Sequence, residues 1–230
     1  MRNNDVHIKK EEDVMRYKNI IFDLDGTLLN TIDDLTSAVN YVMNYFGYDT
    51  YSTDRIKQFV GNGIHKLMER AVPQGMDNSI FDKAYEMFKL YYTSNCKNAT
   101  RPYDGIESML EKLKDLNCNM AVVSNKNDQA VKKLCREFFS SYIGTAIGQS
   151  ETTNKKPAPD TVFKAMEEFD AVKHETLYVG DSEVDKMTAD NAGVDCVLVS
   201  WGFRARKDLE KLNPDVIIDN PVQLLDIVIQ

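Results

Sequence analysis

Residues 19–27 read NIIFDLDGT, an apolar run that ends in two acidic residues and a glycine. A short, continuous apolar run of this kind is typical of a strand buried on both faces of a parallel sheet. Strand alternation puts Asp23 and Asp25 on the same side, with Leu24 opposite. Because ligands bind at the carboxyl ends of the strands in an open parallel sheet, the acid pair is a candidate functional site.

Similar apolar runs recur along the chain, and segments with helical spacing of apolar residues separate them. Alternating strands and helices predict an α/β fold, with a Rossmann-like parallel sheet as core and helices on both faces. The four further predicted strands lie at residues 120–124, 177–179, 196–200 and 216–218.

Residues 31–98 break this alternation, because helical periods follow one another there without a convincing strand. The first helix is expected to begin at Thr31 as N-cap. The sequence therefore predicts a small all-helical domain inserted after the first strand, with hinge-like connections near residues 30 and 100. The other domain is then discontinuous, comprising residues 1–30 and 99–230. Residues 1–17 have no period and are given no role.

Composition and charge narrow the possible partners. The chain has 230 residues, of which 43% are hydrophobic, and a net charge of −8. Negative charge disfavours nucleic acid, whose binding depends on neutralising phosphates. There is no apolar run of about 20 residues and no secretory signal, so no membrane association is predicted and a cytoplasmic location is expected. The four scattered cysteines are predicted to be reduced and mostly buried.

Three more polar features fall near predicted strand ends. Ser124-Asn125 could hold phosphoryl oxygens, although such residues also cap helices. Lys156 lies in a loop that two nearby prolines would stiffen, although a lone lysine is usually a surface group. Asp181 and Asp185 offer oxygen ligands of the kind Mg²⁺ prefers, although both could serve only the start of a helix.

In this order, the four features resemble the motifs of the haloacid dehalogenase superfamily of phosphotransferases, and the resemblance covers nearly the whole chain. The helical insertion resembles that family's mobile cap domain. Three stretches resemble the phosphoglycolate phosphatase-like branch of this superfamily: the Asp23-x-Asp25-Gly-Thr motif with Leu28 after it, the turn Gly61-Asn62-Gly63, and the run Ser200-Trp201-Gly202. Gln149-Ser150 departs from some relatives, which carry an acidic residue there, and this leaves the subfamily open.

The resemblance implies a role for each matched residue. Asp23 is expected to be the nucleophile that forms an aspartyl phosphate, with Asp25 as acid and then base. The Asp23 carboxylate, the Asp25 backbone carbonyl and Asp181 are expected to bind Mg²⁺, with Asp185 supporting or joining them. Phosphoryl and substrate binding is assigned to Lys156, Thr27, Ser124 and Asn125.

Selectivity is expected to lie in the helical domain, because the core motifs contact only the phosphoryl group. The turn Gly61-Asn62-Gly63 is predicted to let backbone approach the substrate, and His65, Lys66 or Arg70 could meet an anionic end of it. The structural alternative is a tight turn followed by a solvated face. In the same way, Trp201 and Arg204 could line the entrance, although a tryptophan at a strand end often plugs the core.

The sequence thus predicts a Mg²⁺-dependent phosphatase that acts on a small phosphorylated metabolite such as 2-phosphoglycolate. A pyrophosphatase, a nucleotidase and a sugar-phosphate mutase are alternatives on the same framework, and a catalytically silent regulatory protein is an alternative of another class. A phosphonatase is disfavoured because no cap lysine is marked out for a Schiff base. A dehalogenase is disfavoured because halide leaving groups need no acid such as Asp25. The chain is expected to be a monomer or a weak homodimer.

Overall fold

A computed structural model describes residues 15–151 and 153–229. The part of the leader at residues 1–14, to which the sequence assigned no role, lies outside the described residues. Within the described ranges the chain forms eight strands: β1 (Asn19–Phe22), β2 (Leu29–Asn30), β3 (Arg101–Pro102), β4 (Asn119–Asn127), β5 (Thr145–Gln149), β6 (Thr176–Gly180), β7 (Asp195–Val199) and β8 (Val216–Ile218).

Ten α-helices lie in the same ranges, and the first four follow one another without an intervening strand, as predicted. None of these helices is long and apolar enough to cross a membrane. Their bounds are α1 (Ile32–Tyr45), α2 (Thr53–Phe59), α3 (Gly63–Ala71), α4 (Phe81–Asn95), α5 (Ile106–Asp115), α6 (Asp128–Phe139), α7 (Asp160–Glu168), α8 (Glu183–Ala192), α9 (Arg206–Glu210) and α10 (Gln223–Val228).

Six strands form one parallel sheet in the order β5-β4-β1-β6-β7-β8. The strand β1 lies at its centre, and Phe22 is level with Val122 on β4 and with Val179 on β6. The chain therefore leaves these three strands at one edge of the sheet. This register brings residues that are far apart in sequence to a common carboxyl edge.

Both faces of the sheet are buried, which explains why its strands read as continuous apolar runs. Ile20 and Phe22 point into one apolar cluster and Ile21 into another. The first cluster is covered by α5, α6 and α10, and the second by α7 and α8. The predicted α/β fold with helices on both faces is confirmed. All four cysteines are free and buried, also as predicted.

The sequence missed β5, an edge strand that pairs with β4 alone. Its residues read TAIGQ and are mostly half-buried, so it lacks the apolar run that marks the inner strands. Edge strands bury less surface, and their sequences are less constrained toward apolar residues.

Helices α1 to α4 enclose an apolar cluster of their own, which also includes Phe203 from the sheet side. The two connections to this helical segment are tied together. Strands β2 and β3 pair antiparallel, and the buried Asp34 accepts hydrogen bonds from the backbone of Ala99 and Thr100. Thr31 lies at the N-cap of α1 as expected, but its hydroxyl makes no capping hydrogen bond.

Candidate active site

Three buried carboxylates meet at the carboxyl edge of the sheet. Asp23 directly follows β1, Asp181 directly follows β6, and Asp185 lies in the first turn of α8. Each offers an oxygen, and these oxygens lie within 4.8 Å of one another. The parallel register of β1 and β6 therefore produces the acid cluster.

Two glycines make room for Asp181. Gly26 has a backbone φ of +94°, which residues other than glycine rarely adopt. A Cβ at this position would also overlap the Asp181 carboxylate. A Cβ on Gly202 would overlap the same side chain. The backbone N–H of Phe203 donates to the Asp181 carboxylate at 2.6 Å. Backbone packed against this carboxylate from two loops thus fixes its position.

Lys156 bridges the acids. Its ammonium lies 2.6 Å from a carboxylate oxygen of Asp23 and 2.8 Å from one of Asp185. It also donates to the hydroxyl of Tyr178, 3.0 Å away, and the whole lysine is buried. The lysine predicted from its loop is therefore part of the acid cluster rather than a surface group.

The loop that carries Lys156 is held by Asn125. The Asn125 side-chain oxygen accepts from the Lys156 N–H at 2.8 Å, and its amide nitrogen donates to the Lys156 carbonyl at 3.1 Å. Ser124 is buried beside it, and its hydroxyl accepts from the backbone N–H of Lys126 at 3.1 Å. Both residues lie where β4 departs from regular pairing with β5, between Val123 and Asn127.

Asp185 is the most firmly held of the acids. One of its oxygens accepts from Lys156 and from the Tyr178 hydroxyl at 2.9 Å. The other accepts from the Asp181 N–H at 3.2 Å and from the Ser182 hydroxyl at 2.6 Å. Four donors on one carboxylate leave it little freedom to rotate.

Burial and the neighbouring charges shift the pKa values of the three carboxylates. Desolvation raises the pKa of Asp23 to about 7, because it outweighs the opposing effect of Lys156. Desolvation and the nearby acids also raise the pKa of Asp181 well above its usual range. For Asp185, by contrast, burial is outweighed by Lys156 and its other donors, so its pKa is lowered. Oxygen-only ligands crowded in this way fit a hard divalent cation.

Sequence reasoning missed Lys126. Its ammonium lies 2.6 Å from a carboxylate oxygen of Asp25 and 3.0 Å from the hydroxyl of Tyr92 on α4. The side chain is almost fully buried. A signal was available, because Lys126 follows Ser124-Asn125 directly and strand alternation places it on the same side as Ser124.

The wall that the helical segment presents to the cleft is apolar or glycine. Gly61 and Gly63 line it, together with Val60, Ile64 and Leu67.

The three cations suggested for the helical wall make other contacts. His65 packs edge-on against Phe81 and Tyr85 in the helical segment, and Lys66 pairs with Glu69. Arg70 donates to the Phe59 carbonyl and to the Asn62 side chain. Of the three, only Arg70 is exposed as the alternative of a solvated face expects, while His65 and Lys66 are half-buried.

Three other residues that the sequence singled out occupy different positions: one lines the cleft, one packs on the core, and one is buried. Arg204 lines it, and its guanidinium pairs with Glu183 while donating to the carbonyls of Lys57 and Val60 at 2.9 Å. Trp201 packs against the core and donates to the Thr27 carbonyl at 3.0 Å. The Thr27 side chain is buried, and its hydroxyl has no hydrogen-bond partner among the described residues.

A parallel sheet whose carboxyl edge holds an acid pair, a bridging lysine and a second acid pair defines a class of metal-assisted phosphohydrolases. The profile of the haloacid dehalogenase-like hydrolase family matches residues 20–199. The chain belongs to this family.

Relatives with known names narrow the class further. The phosphoglycolate phosphatase of Vibrio parahaemolyticus is 31% identical over 92% of this chain and 96% of its own length. That of Aquifex aeolicus is 30% identical over 91% and 95%. A crystal structure from Lactobacillus delbrueckii subsp. bulgaricus, provisionally assigned as a phosphoglycolate phosphatase, is 32% identical, with a TM-score of 0.90 over 94% of this chain and 99% of that one.

Family, relatives and site agree on the activity. The chain is a phosphatase, a hydrolase of phosphoric monoesters, and its substrate is a phosphorylated small molecule. The predicted superfamily and enzyme class are confirmed.

Proposed function

We propose that this phosphatase hydrolyses 2-phosphoglycolate, with Mg²⁺ as its metal and Asp23 as its nucleophile. One observation carries the chemical part of the proposal: the Lys156 ammonium lies 2.6 Å from Asp23, inside a buried cluster of acids. The substrate is proposed from the relatives, which are named phosphoglycolate phosphatase and match nearly the whole chain.

Asp23 attacks phosphorus in line with the ester bond. A bond forms between phosphorus and the carboxylate oxygen while the bond to the ester oxygen breaks, which gives an aspartyl phosphate. Asp25 protonates the departing alkoxide, and it then takes a proton from the water that hydrolyses the aspartyl phosphate. Lys156 and Ser124 bind the phosphoryl oxygens, with Asn125 holding the Lys156 loop in place.

Mg²⁺ would be bound by the Asp23 carboxylate, the Asp25 backbone carbonyl and Asp181, and it would supply positive charge that stabilises the phosphoryl group in the transition state. Asp185 supports these ligands, because its own oxygens already accept from four donors. When all three are ionised, as ligands of a cation must be, Asp23, Asp181 and Asp185 carry three negative charges that Lys156 alone does not offset. A divalent cation brings the site near neutrality before a phosphate dianion enters.

We propose that residues 31–98 form a cap domain over a core made of residues 1–30 and 99–230. Supporting this division, α1 to α4 share an apolar cluster that is largely their own. The paired β2 and β3 are the proposed hinge, together with the contacts of Asp34. The turn Gly61-Asn62-Gly63 brings the cap to the substrate, and Thr27, which follows Asp23 and Asp25 in the same loop, is assigned to substrate binding. Cytoplasmic location and a monomer or weak homodimer stay predictions from the sequence.

The test is phosphate release by the purified chain with Mg²⁺. We expect kcat/KM for 2-phosphoglycolate to exceed that for pyrophosphate, AMP, β-glucose 1-phosphate and p-nitrophenyl phosphate by about tenfold or more, the effect of one good polar contact. A higher value for pyrophosphate or AMP would favour a pyrophosphatase or a nucleotidase. Conversion of the sugar phosphate to its isomer would favour a mutase. No release from any of the five would favour a silent regulatory protein.

A further inference from the structure

Lys126 has an ammonium with donor capacity left at the cleft. The residue lines the cleft and is almost fully buried. Its three N–H bonds make two hydrogen bonds to residues that the structure describes, the carboxylate of Asp25 at 2.6 Å and the hydroxyl of Tyr92 at 3.0 Å. Since the Tyr92 oxygen accepts from Lys126, its own O–H is left to donate.

Two other cations line the cleft: Lys156, which the proposed reaction assigns to the phosphoryl oxygens, and Arg204, which holds Glu183 and the backbone of the helical segment. Lys156 donates to Asp23, Asp185 and Tyr178. The Arg204 guanidinium makes four hydrogen bonds, two to Glu183 and two to backbone carbonyls of the helical segment.

The position of Lys126 suits a second charged group on the substrate. In the proposed reaction Asp25 contacts the leaving oxygen, and in 2-phosphoglycolate a single methylene joins that oxygen to a carboxylate. A cation that binds this carboxylate must therefore lie beside Asp25, as Lys126 does. The facing side chains of Val60, Ile64 and Leu67 are apolar and offer a carboxylate no hydrogen bond.

We propose that Lys126 determines specificity by binding the carboxylate, or an equivalent second anionic group, of a small phosphomonoester, with Tyr92 holding its ammonium in position. This inference rests on the proposed function. Tyr92 of α4 would then act through Lys126, as a positioning residue. A substrate without the second anion would leave the free donor of Lys126 without a ligand.

A purely positioning role of Lys126 toward Asp25 makes a different prediction. Asp25 acts on every phosphomonoester, so losing its support would slow all substrates by the same factor. An anion-binding role slows only substrates that carry the second anion by the additional factor. The ratio of kcat/KM for two matched substrates separates the two roles, and it is insensitive to a partly unfolded sample because both values fall together.

The matched pair is 2-phosphoglycolate and ethyl phosphate, in which a methyl group replaces the carboxylate. With Mg²⁺, we expect the unaltered protein to prefer 2-phosphoglycolate by about 10- to 100-fold in kcat/KM, the effect of a charge-assisted hydrogen bond. In Lys126→Met we expect the ratio to fall to about 3-fold or less, and in Tyr92→Phe to fall by about 3- to 10-fold. Lys133→Met, the same change at an exposed site on α6, should keep the original ratio.

Three results would overturn the inference. An unchanged ratio in Lys126→Met would assign the lysine to positioning alone, and the proposed function would stand. Turnover of 2-phosphoglycolate without preference over ethyl phosphate would show that no second anion is recognised, again leaving the phosphatase chemistry intact. Hydrolysis of neither substrate by the unaltered protein would overturn the proposed substrate and this inference with it.

Discussion

The two walls of the cleft differ in the number of polar groups they carry and in how firmly hydrogen bonds hold those groups. The wall at the sheet edge is a buried network in which Lys156 and Asp185 each contact several polar partners. The wall from the helical segment is made of glycines and apolar side chains. The first suits a reaction common to every substrate, because its groups are rigid and charged. The second has few polar groups with which to distinguish substrates.

Two charged side chains of the sheet side make hydrogen bonds to the helical side, and Asn125 adds a longer one of 3.4 Å to the Gly61 carbonyl. Lys126 on β4 meets Tyr92 on α4, and Arg204 after β7 meets the carbonyls of Lys57 and Val60 at the end of α2. Each joins a charged group of the sheet side to a polar atom of the helical side. We therefore expect selectivity to depend on a small number of crossing contacts, and on the shape that the apolar wall gives the cleft.

The largest expected effect comes from removing the proposed nucleophile of the rigid wall. In Asp23→Asn the amide cannot attack phosphorus, so we expect kcat to fall by about a thousandfold or more. The measurement is phosphate release with Mg²⁺, and circular dichroism should show an unchanged fold. Asp104→Asn, an exposed change of the same kind, should keep its turnover. A rate of even a tenth of the original in Asp23→Asn would exclude Asp23 as nucleophile.

Removing the metal tests the negative charge of the acid cluster in the wall at the sheet edge. Three buried carboxylates face one lysine, so excess EDTA should reduce turnover by about a hundredfold or more, and added Mg²⁺ should restore it. Binding should also raise the melting temperature of the protein in a concentration-dependent way, because the ion reduces repulsion among the acids in the folded state. Undiminished turnover in EDTA would contradict the assignment of Asp23 and Asp181 as ligands.

A smaller effect is expected at the second crossing contact. Arg204→Met leaves Glu183 and the Val60 carbonyl without their donor, so we expect a loss of about 1–2 kcal/mol in unfolding free energy and a kcat/KM about tenfold lower. Urea unfolding measures the change in unfolding free energy, and steady-state kinetics measure the change in kcat/KM. Arg206→Met, which removes only exposed ion pairs, should change stability by less than about 1 kcal/mol. Equal effects of the two substitutions would mean that Arg204 does not hold the walls together.

Local pattern was enough for the inner strands and for the acid cluster. The apolar run before Asp23 predicted β1, and similar runs predicted its neighbours, because strands buried on both faces must be apolar throughout. Parallel pairing then brings Asp23 and Asp181 to one edge whatever the details of the loops. The edge strand β5 was missed because it is only partly buried.

Side-chain direction in the helical segment could not be read in the same way. His65, Lys66 and Arg70 all lie within one turn and a half of α3, so spacing alone allowed any of them to meet the substrate. Packing against Phe81 and Tyr85 turns His65 into the helical segment instead. Which face of a short helix meets the cleft depends on how the helix packs against its neighbours, and the sequence of the helix itself does not contain that information.

The sequence by itself determined the α/β sheet, the helical insertion, the phosphatase class and the edge at which the acids meet. The elements follow from local apolar patterns, and the phosphatase class follows from the resemblance of the ordered motifs to a known family. Both are read from short stretches of neighbouring residues. Only the tertiary structure decided the partners of Lys126, because Asp25 and Tyr92 lie 101 and 34 residues away from it. Contacts across such distances form only when separate elements pack, so their geometry is set by the whole fold.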